Sequence, residues 1–202
     1  IGYYPIAQAI TDLKEIQFNS ISSSLIPTLI DDGFKKDSII ETYEQKHTRN
    51  EVLKSDSKDI CYIAPTSFGK SSIISEHITA NWDNAKRVAV IVPTKSLLMQ
   101  TYRAIRKKKL DTKIIIHDEM YNNEDRFIAI LTQERALRLL DKHSIFFDCM
   151  YIDEAHRLFD RDSRAILLSR LIKLNRQRNK DPKIIYLSPL VTNTSNLIID
   201  KS

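Results

Sequence analysis

A chain of 202 residues is long enough to bury one substantial core and short for two ordinary domains. With 42% hydrophobic and 28% charged residues it is not a disordered tail, and 31 Lys and Arg against 26 Asp and Glu leave a net charge of +5, which suits phosphate contacts without demonstrating them. The longest apolar runs are five residues, as in Val88 to Val92, so no transmembrane helix fits, and no signal-peptide core follows Ile1.

In chain order, residues 1–55 read as a small helical N-terminal segment packing on the body of the protein, and residues 56–202 as one domain. Ile6, Ala9, Ile10 and Leu13 recur at helical spacing, Ser22-Ser23-Ser24 and Pro27 interrupt the pattern, and Asp32-Gly33 marks a turn. Ser38 and Glu41 have capping-box spacing, predicting a helix that turns Ile39 or Ile40, Tyr43 and Leu53 to the core. Short β-rich runs then recur at 60–64, 88–92, 113–116, 127–131, 149–152 and 184–187. Helical stretches at 70–80, 96–108, 134–142 and 163–175 separate most of them. This alternation predicts an α/β fold, a mostly parallel sheet with helices on both faces, whose ligands collect at the carboxyl ends of the strands.

Cys61 and Cys149 lie in two of the strand runs, where they suit small apolar residues of a reducing compartment better than a disulfide. Arg103, Arg106, Lys107, Lys108 and Lys109 close the helix after residue 96, a placement that fits phosphate contacts and a helix C-terminus equally. Asn175 to Lys180, before Asp181-Pro182, reads as a solvated polar connection.

Two motifs stand at strand ends. Ala64-Pro65-Thr66-Ser67-Phe68-Gly69-Lys70-Ser71 follows the apolar run Ile60 to Ile63 and opens a helix, the pattern of a phosphate-binding loop with Ala64 where the first glycine usually stands. Thr66, Ser67, Phe68 and Gly69 would wrap the phosphates, Lys70 would neutralise them, and the Ser71 hydroxyl would ligand Mg²⁺. The second run ends in Asp153-Glu154-Ala155-His156, where Asp153 supplies another magnesium ligand and Glu154 orients or deprotonates the attacking water. Each motif alone also fits an ordinary strand-to-helix connection, with a solvated lysine or a capping acid; their conjunction points to ATP and Mg²⁺.

Further stretches extend the pattern. Val90 to Gln100, with Pro93-Thr94-Lys95 at its centre, Leu131-Thr132-Gln133-Glu134-Arg135, and Tyr186-Leu187-Ser188-Pro189-Leu190 follow in order. With them the chain resembles the superfamily-two helicases of the DEAD/DEAH type, these stretches standing where that family has its motifs Ia, Ib and III. The wording around Lys70 and Asp153 is similar to the branch of RNA-exosome and DNA-repair helicases and of helicase subunits of bacterial anti-phage systems. The resemblance implies a RecA-like P-loop NTPase lobe, the first of two in a larger motor, with later motifs and their arginines expected on a second lobe. It implies nucleic-acid contacts, to single-stranded or duplex DNA or RNA, from Pro93, Thr94, Lys95, Thr132 and Gln133, and coupling through His156 and Ser188. Gln45 falls roughly where the family reads adenine. The expected activity is ATP-dependent translocation, absent from the isolated lobe, in the cytoplasm or, in a eukaryote, the nucleus, with further protein subunits as possible partners. A regulatory P-loop ATPase and a nucleic-acid sensor that clamps without unwinding are the alternatives.

Overall fold

A computed structural model describes residues 35–36, 39–40, 43–64, 70–160 and 162–189, and the chain divides into two units, Ile1–Lys54 and Ser55–Ser202. In the first unit, β1 (Lys35–Lys36) pairs antiparallel with β2 (Ile39–Ile40), Lys36 opposite Ile39, and α1 covers Tyr43–Lys54. This corrects the expected helix start: Ile39 and Ile40 are extended, as adjacent β-branched residues favour, and the helix begins at Tyr43. Val52 rather than Leu53 is the buried residue near its end. The expected helix at 5–17, the turn at Asp32-Gly33 and the Ser38–Glu41 capping pair lie outside the described residues.

The second unit is built on six parallel strands: β3 (Asp59–Ile63), β4 (Arg87–Ile91), β5 (Lys113–Ile115), β6 (Phe127–Leu131), β7 (Cys149–Ile152) and β8 (Lys183–Ser188). Their spatial order is β3-β8-β7-β4-β6-β5. Central strands covered on both faces need continuous apolar sequence, and every residue of β6 and β7 is buried; edge strand β3 alternates between half-buried and buried before ending exposed. The helices are α2 (Lys70–Ala80), α3 (Lys95–Arg106), α4 (Gln133–His143) and α5 (Ser163–Arg178). Helices α2 and α3 pair with each other, as do α4 and α5. Ala89, Ile91, Met150, Ile152, Ile184 and Tyr186 pack with Leu137, Leu140, Leu168 and Leu171 of α4 and α5 in one apolar cluster. Each such side chain contributes about 1.5–3 kcal/mol by leaving water.

Three chain features fix the helix ends. The Thr94 hydroxyl accepts from the Leu97 amide at 3.3 Å to start α3, and the Asp162 carboxylate accepts from the Ala165 amide at 2.8 Å to start α5. Ser144 takes a left-handed conformation, φ 53°, to end α4.

The stretch from Asn175 to Arg178 is not the solvated connection that its polarity suggests: it is the last turn of α5 and is tied into the body of the domain. Asn175 is fully buried, donating to the Phe147 carbonyl at 3.1 Å and accepting from the Phe147 amide at 2.7 Å. Arg176 donates to Asp59 at 2.6 Å, and Arg178 donates to the carbonyls of Leu140 and Ile145 at 2.6 and 3.1 Å. Asn175 and Arg178 here serve backbone groups between Leu140 and Phe147, and Arg176 serves an acid of β3, a role that composition does not reveal. Among the described residues no helix is long and apolar enough to cross a membrane. Cys61 and Cys149 form no disulfide.

Candidate functional site

The site forms at the carboxyl ends of β3, β8 and β7. Beyond β3 the ladder runs one residue further, the Ala64 amide donating to the Ser188 carbonyl at 2.9 Å. Thr66, Ser67, Phe68 and Gly69 of the candidate phosphate loop lie outside the described residues. Lys70 then opens α2 and is almost wholly buried, at 6% exposure. Its ammonium folds back to donate to the Ala64 carbonyl at 3.4 Å and stands 3.5 Å from Glu154 Oε1. The two sequence motifs therefore meet, across β8, through one lysine and one carboxylate.

Beyond β7 the Asp153 amide donates to the Ile91 carbonyl at 2.9 Å, and the Glu154 amide donates to Asp153 Oδ1 at 3.0 Å. Glu154 itself is left-handed, at φ 55° and ψ 45°, a conformation that costs a non-glycine residue about 1–3 kcal/mol and that no sequence pattern signals. The sharp bend starts the short 3₁₀ helix Ala155–Phe159 and brings His156 Nδ1 to 3.4 Å from Glu154 Oε2. That contact is ionic in distance and lacks hydrogen-bond geometry. Glu154 thus sits between two groups that carry or accept positive charge, Lys70 on one side and His156 on the other.

Burial raises the pKa of Asp153 above the ordinary carboxylate range and the neighbouring Glu154 charge raises it further, while Lys70 and His156 pull it back. A buried carboxylate in this state gains from a divalent cation, and with the half-buried Ser71 on the first turn of α2 it offers the oxygen donors that Mg²⁺ prefers. The donor set fits a magnesium ion that completes its shell with water and phosphate oxygens. Among the described residues no group of three or more His, Cys, Asp or Glu could hold a metal by itself.

The next two strands bring the remaining candidates alongside. The Val92 amide donates to the Leu131 carbonyl at 3.0 Å, so the loops after β4 and β6 run side by side. Thr94 and Lys95 are exposed at the N-terminus of α3, and Thr132 is half-buried at that of α4. Pro93 and Gln133 are turned inward: Gln133 is 5% exposed, its amide donates to Glu134 at 3.2 Å, and both line a cavity of about 10 Å³ with Asp153, Arg157 and Arg164. Arg157 and Arg164 were not legible as site residues, although Arg157 directly follows His156. Ser188 is fully buried at the end of β8, between the two motif strands. Gln45 lies on α1 in the other unit, and its side chain is outside the described residues. The basic cluster closes α3 at the opposite edge of the sheet, about 16 Å from Lys95 along the helix.

Comparison with known proteins identifies the family and the fold that carry this arrangement. A family model described as DEAD/DEAH box helicase matches residues 42–196. Anti-bacteriophage protein B of Escherichia coli (strain K12) is 31% identical over 142 residues, 63% of this chain and 19% of its own length, so the chain spans about a fifth of that curated relative. Among solved structures, the DEAD-box helicase Mss116 bound to ssRNA and UDP-BeF matches with a TM-score of 0.61 and 21% identity over 78% of this chain and 38% of that one. The DUF1998 helicase MrfA bound to DNA and AMPPNP matches with a TM-score of 0.57 and 19% identity over 80% of this chain and 26% of that one. These likenesses show a RecA-like helicase lobe.

Proposed function

The chain belongs to the DEAD/DEAH box helicase family, and from that premise we propose that it is the ATP-binding first lobe of an ATP-driven nucleic-acid translocase. The observation that carries the proposal is the approach of Lys70 to Glu154, 3.5 Å apart from opposite sides of β8. A phosphate-loop lysine beside a partly buried carboxylate that follows a candidate metal-binding carboxylate is the minimum needed for phosphoryl transfer to water, which is mostly positioning and charge stabilisation.

In this reading the triphosphate lies over the N-terminus of α2 and takes over the Lys70 ammonium from Glu154, freeing that carboxylate to accept the proton of the attacking water. Ser71 and Asp153 would hold Mg²⁺, which when bound would offset the charge of the phosphates. His156, 3.4 Å from the far oxygen of Glu154, holds it in place. Ser188 on the intervening strand and His156 sense the γ-phosphate and pass its state to a second lobe.

Along the same edge, the N-termini of α3 and α4 present open amides, the Thr94 and Thr132 side chains and the Lys95 ammonium to a sugar-phosphate backbone, so grip comes without base sequence. Pro93 and Gln133 support this track from beneath. A regulatory P-loop ATPase has no use for two helix N-termini lined up beside its nucleotide site, which favours the translocase. The likeness to Anti-bacteriophage protein B supports a place in defence against phage, and a cytoplasmic location with further subunits is part of the same proposal. The test is ATP turnover by the whole protein with and without single-stranded RNA and DNA. Turnover indifferent to both would overturn the translocase in favour of the regulatory ATPase.

A further inference from the structure

The face of the sheet under α2 carries a polar pair that the mechanism above does not use. His77 has no exposed surface and Tyr151 only 2%, yet His77 Nδ1 and the Tyr151 hydroxyl are 2.6 Å apart. Their rings meet edge to face, centroids 5.6 Å apart at 75°. His77 Nε2 has no hydrogen-bond partner among the described residues. Ile73, Ile74 and Ile78 of the same helix are buried as well. Leucine and phenylalanine would fill this space without leaving a buried nitrogen unsatisfied, so packing alone does not account for the pair.

Placement supplies an account. His77 is seven residues after Lys70, two helical turns on and within about 20° of the same stripe of α2. Tyr151 is two residues before Asp153, one pleat repeat along β7, and three before Glu154. The bond therefore joins the helix that carries the lysine to the strand that carries the carboxylates, about 10 Å beneath the Lys70–Glu154 contact. Apolar ridges alone let a helix slide or turn on a sheet with little penalty, whereas a directional bond fixes both register and rotation. We propose that His77 and Tyr151 are positioning residues that pin α2 to β7 and thereby hold the Lys70 ammonium at the distance from Glu154 that ATP hydrolysis requires.

This rests on the ATPase reading, and the test separates the two. In the whole protein, Tyr151→Phe and His77→Leu should lower kcat for nucleic-acid-stimulated ATP hydrolysis about tenfold, since small misplacements at a reacting centre are costly, with KM changed much less. His77→Asn, whose Oδ1 stands near the position of Nδ1, should restore turnover to near the wild-type rate. Asn175→Ala removes buried hydrogen bonds at the far end of the same sheet and reports a merely structural loss; it should retain its kcat per nucleotide-binding site. Amide exchange, measured without nucleotide, should accelerate about tenfold at Ile74, Ser75 and Glu76 in Tyr151→Phe but not selectively there in Asn175→Ala, the loss of one hydrogen bond being worth about that factor. Wild-type protein that neither binds nor hydrolyses ATP overturns the ATPase reading, whereas the exchange pattern still decides the pin. Turnover and exchange in Tyr151→Phe equal to those of Asn175→Ala, or a His77→Asn variant as slow as His77→Leu, overturns the pin itself.

Discussion

Acidification should weaken this fold through His77, and by a calculable amount. Burial lowers His77 from an ordinary value of 6.5 to about 4, with Lys183 of β8 adding electrostatic pressure in the same direction. The titratable groups facing it are Tyr151 and, through Tyr151, Cys149 on β7, both pushed upward by burial and so uncharged near neutrality. Because the folded pKa lies below the unfolded one, the stability tied to a neutral His77 is complete above about 6.5 and is lost as pH falls towards about 4. Linkage between those two values gives a loss of about 2 kcal/mol on going from about pH 7 to about pH 5, a large part of the stability of an ordinary domain.

The measurement is denaturant unfolding across that range for the wild type and His77→Asn. Other groups titrate too: Asp153, raised rather than lowered, contributes with the opposite sign, since acid relieves its buried charge. Such contributions are common to both proteins and cancel in the difference. The stability of the variant relative to wild type should therefore rise by about 2 kcal/mol between about pH 7 and about pH 5, its own curve being the flatter. Parallel curves would show that His77 is not held neutral by burial, and the reasoning about its environment would be wrong.

Three further outcomes follow from the site. Lys70→Ala should lower ATP turnover by about 10²-fold or more while leaving the fold intact, as removal of one charge-stabilising donor typically does, and unchanged turnover would end the phosphate-loop assignment. Glu154→Gln should bind nucleotide nearly as the wild type does and fail to hydrolyse it, since the amide keeps size but takes no proton; single-turnover hydrolysis at the wild-type rate would remove Glu154 as the base. Lys95→Gln should flatten the salt dependence of single-strand binding by about 0.7 log-log units, whereas glutamine at Arg106, Lys107 and Lys108, on the far edge of the sheet, should leave the slope unaltered; the reverse pattern would move the track.

The strands and helices of the second unit were legible because both signals agree there: apolar runs of strand length alternate with helical periodicity, and the boundaries fall within one to three residues of those read from sequence. What failed did so for local reasons. Ile39 and Ile40 satisfied a helical stripe and a capping pair but sit in an extended pair. Asn175 to Arg178 looked like a loop because polar residues that serve buried carbonyls have the same composition as polar residues that serve water. The site itself divides the same way. Lys70, Asp153 and Glu154 announced themselves by spacing, yet the left-handed turn at Glu154, the burial of Gln133 and the pairing of His77 with Tyr151 depend on what approaches from other elements. No window along one segment contains that information.

The two faces of the sheet differ in a way that bears on how such a lobe works. Against α4 and α5 the core is a continuous apolar cluster, whose polar attachments, Asn175, Arg176 and Arg178, gather at the edge remote from the nucleotide site. Against α2 the buried residues include Lys70, Ser75, Glu76 and His77, four of the seven buried positions of one short helix. Ser72 donates to Glu76 at 3.0 Å and Ser75 donates to the Ser72 carbonyl at 2.8 Å, so much of this polarity is satisfied within α2 itself. With three buried isoleucines and one directional bond to β7, α2 has fewer apolar contacts resisting a small shift than α4 and α5 have in their hydrophobic layer. On the proposed reading a bound triphosphate would act first on the position of α2, and the His77–Tyr151 bond would limit that response to the end of the helix where Lys70 meets Glu154.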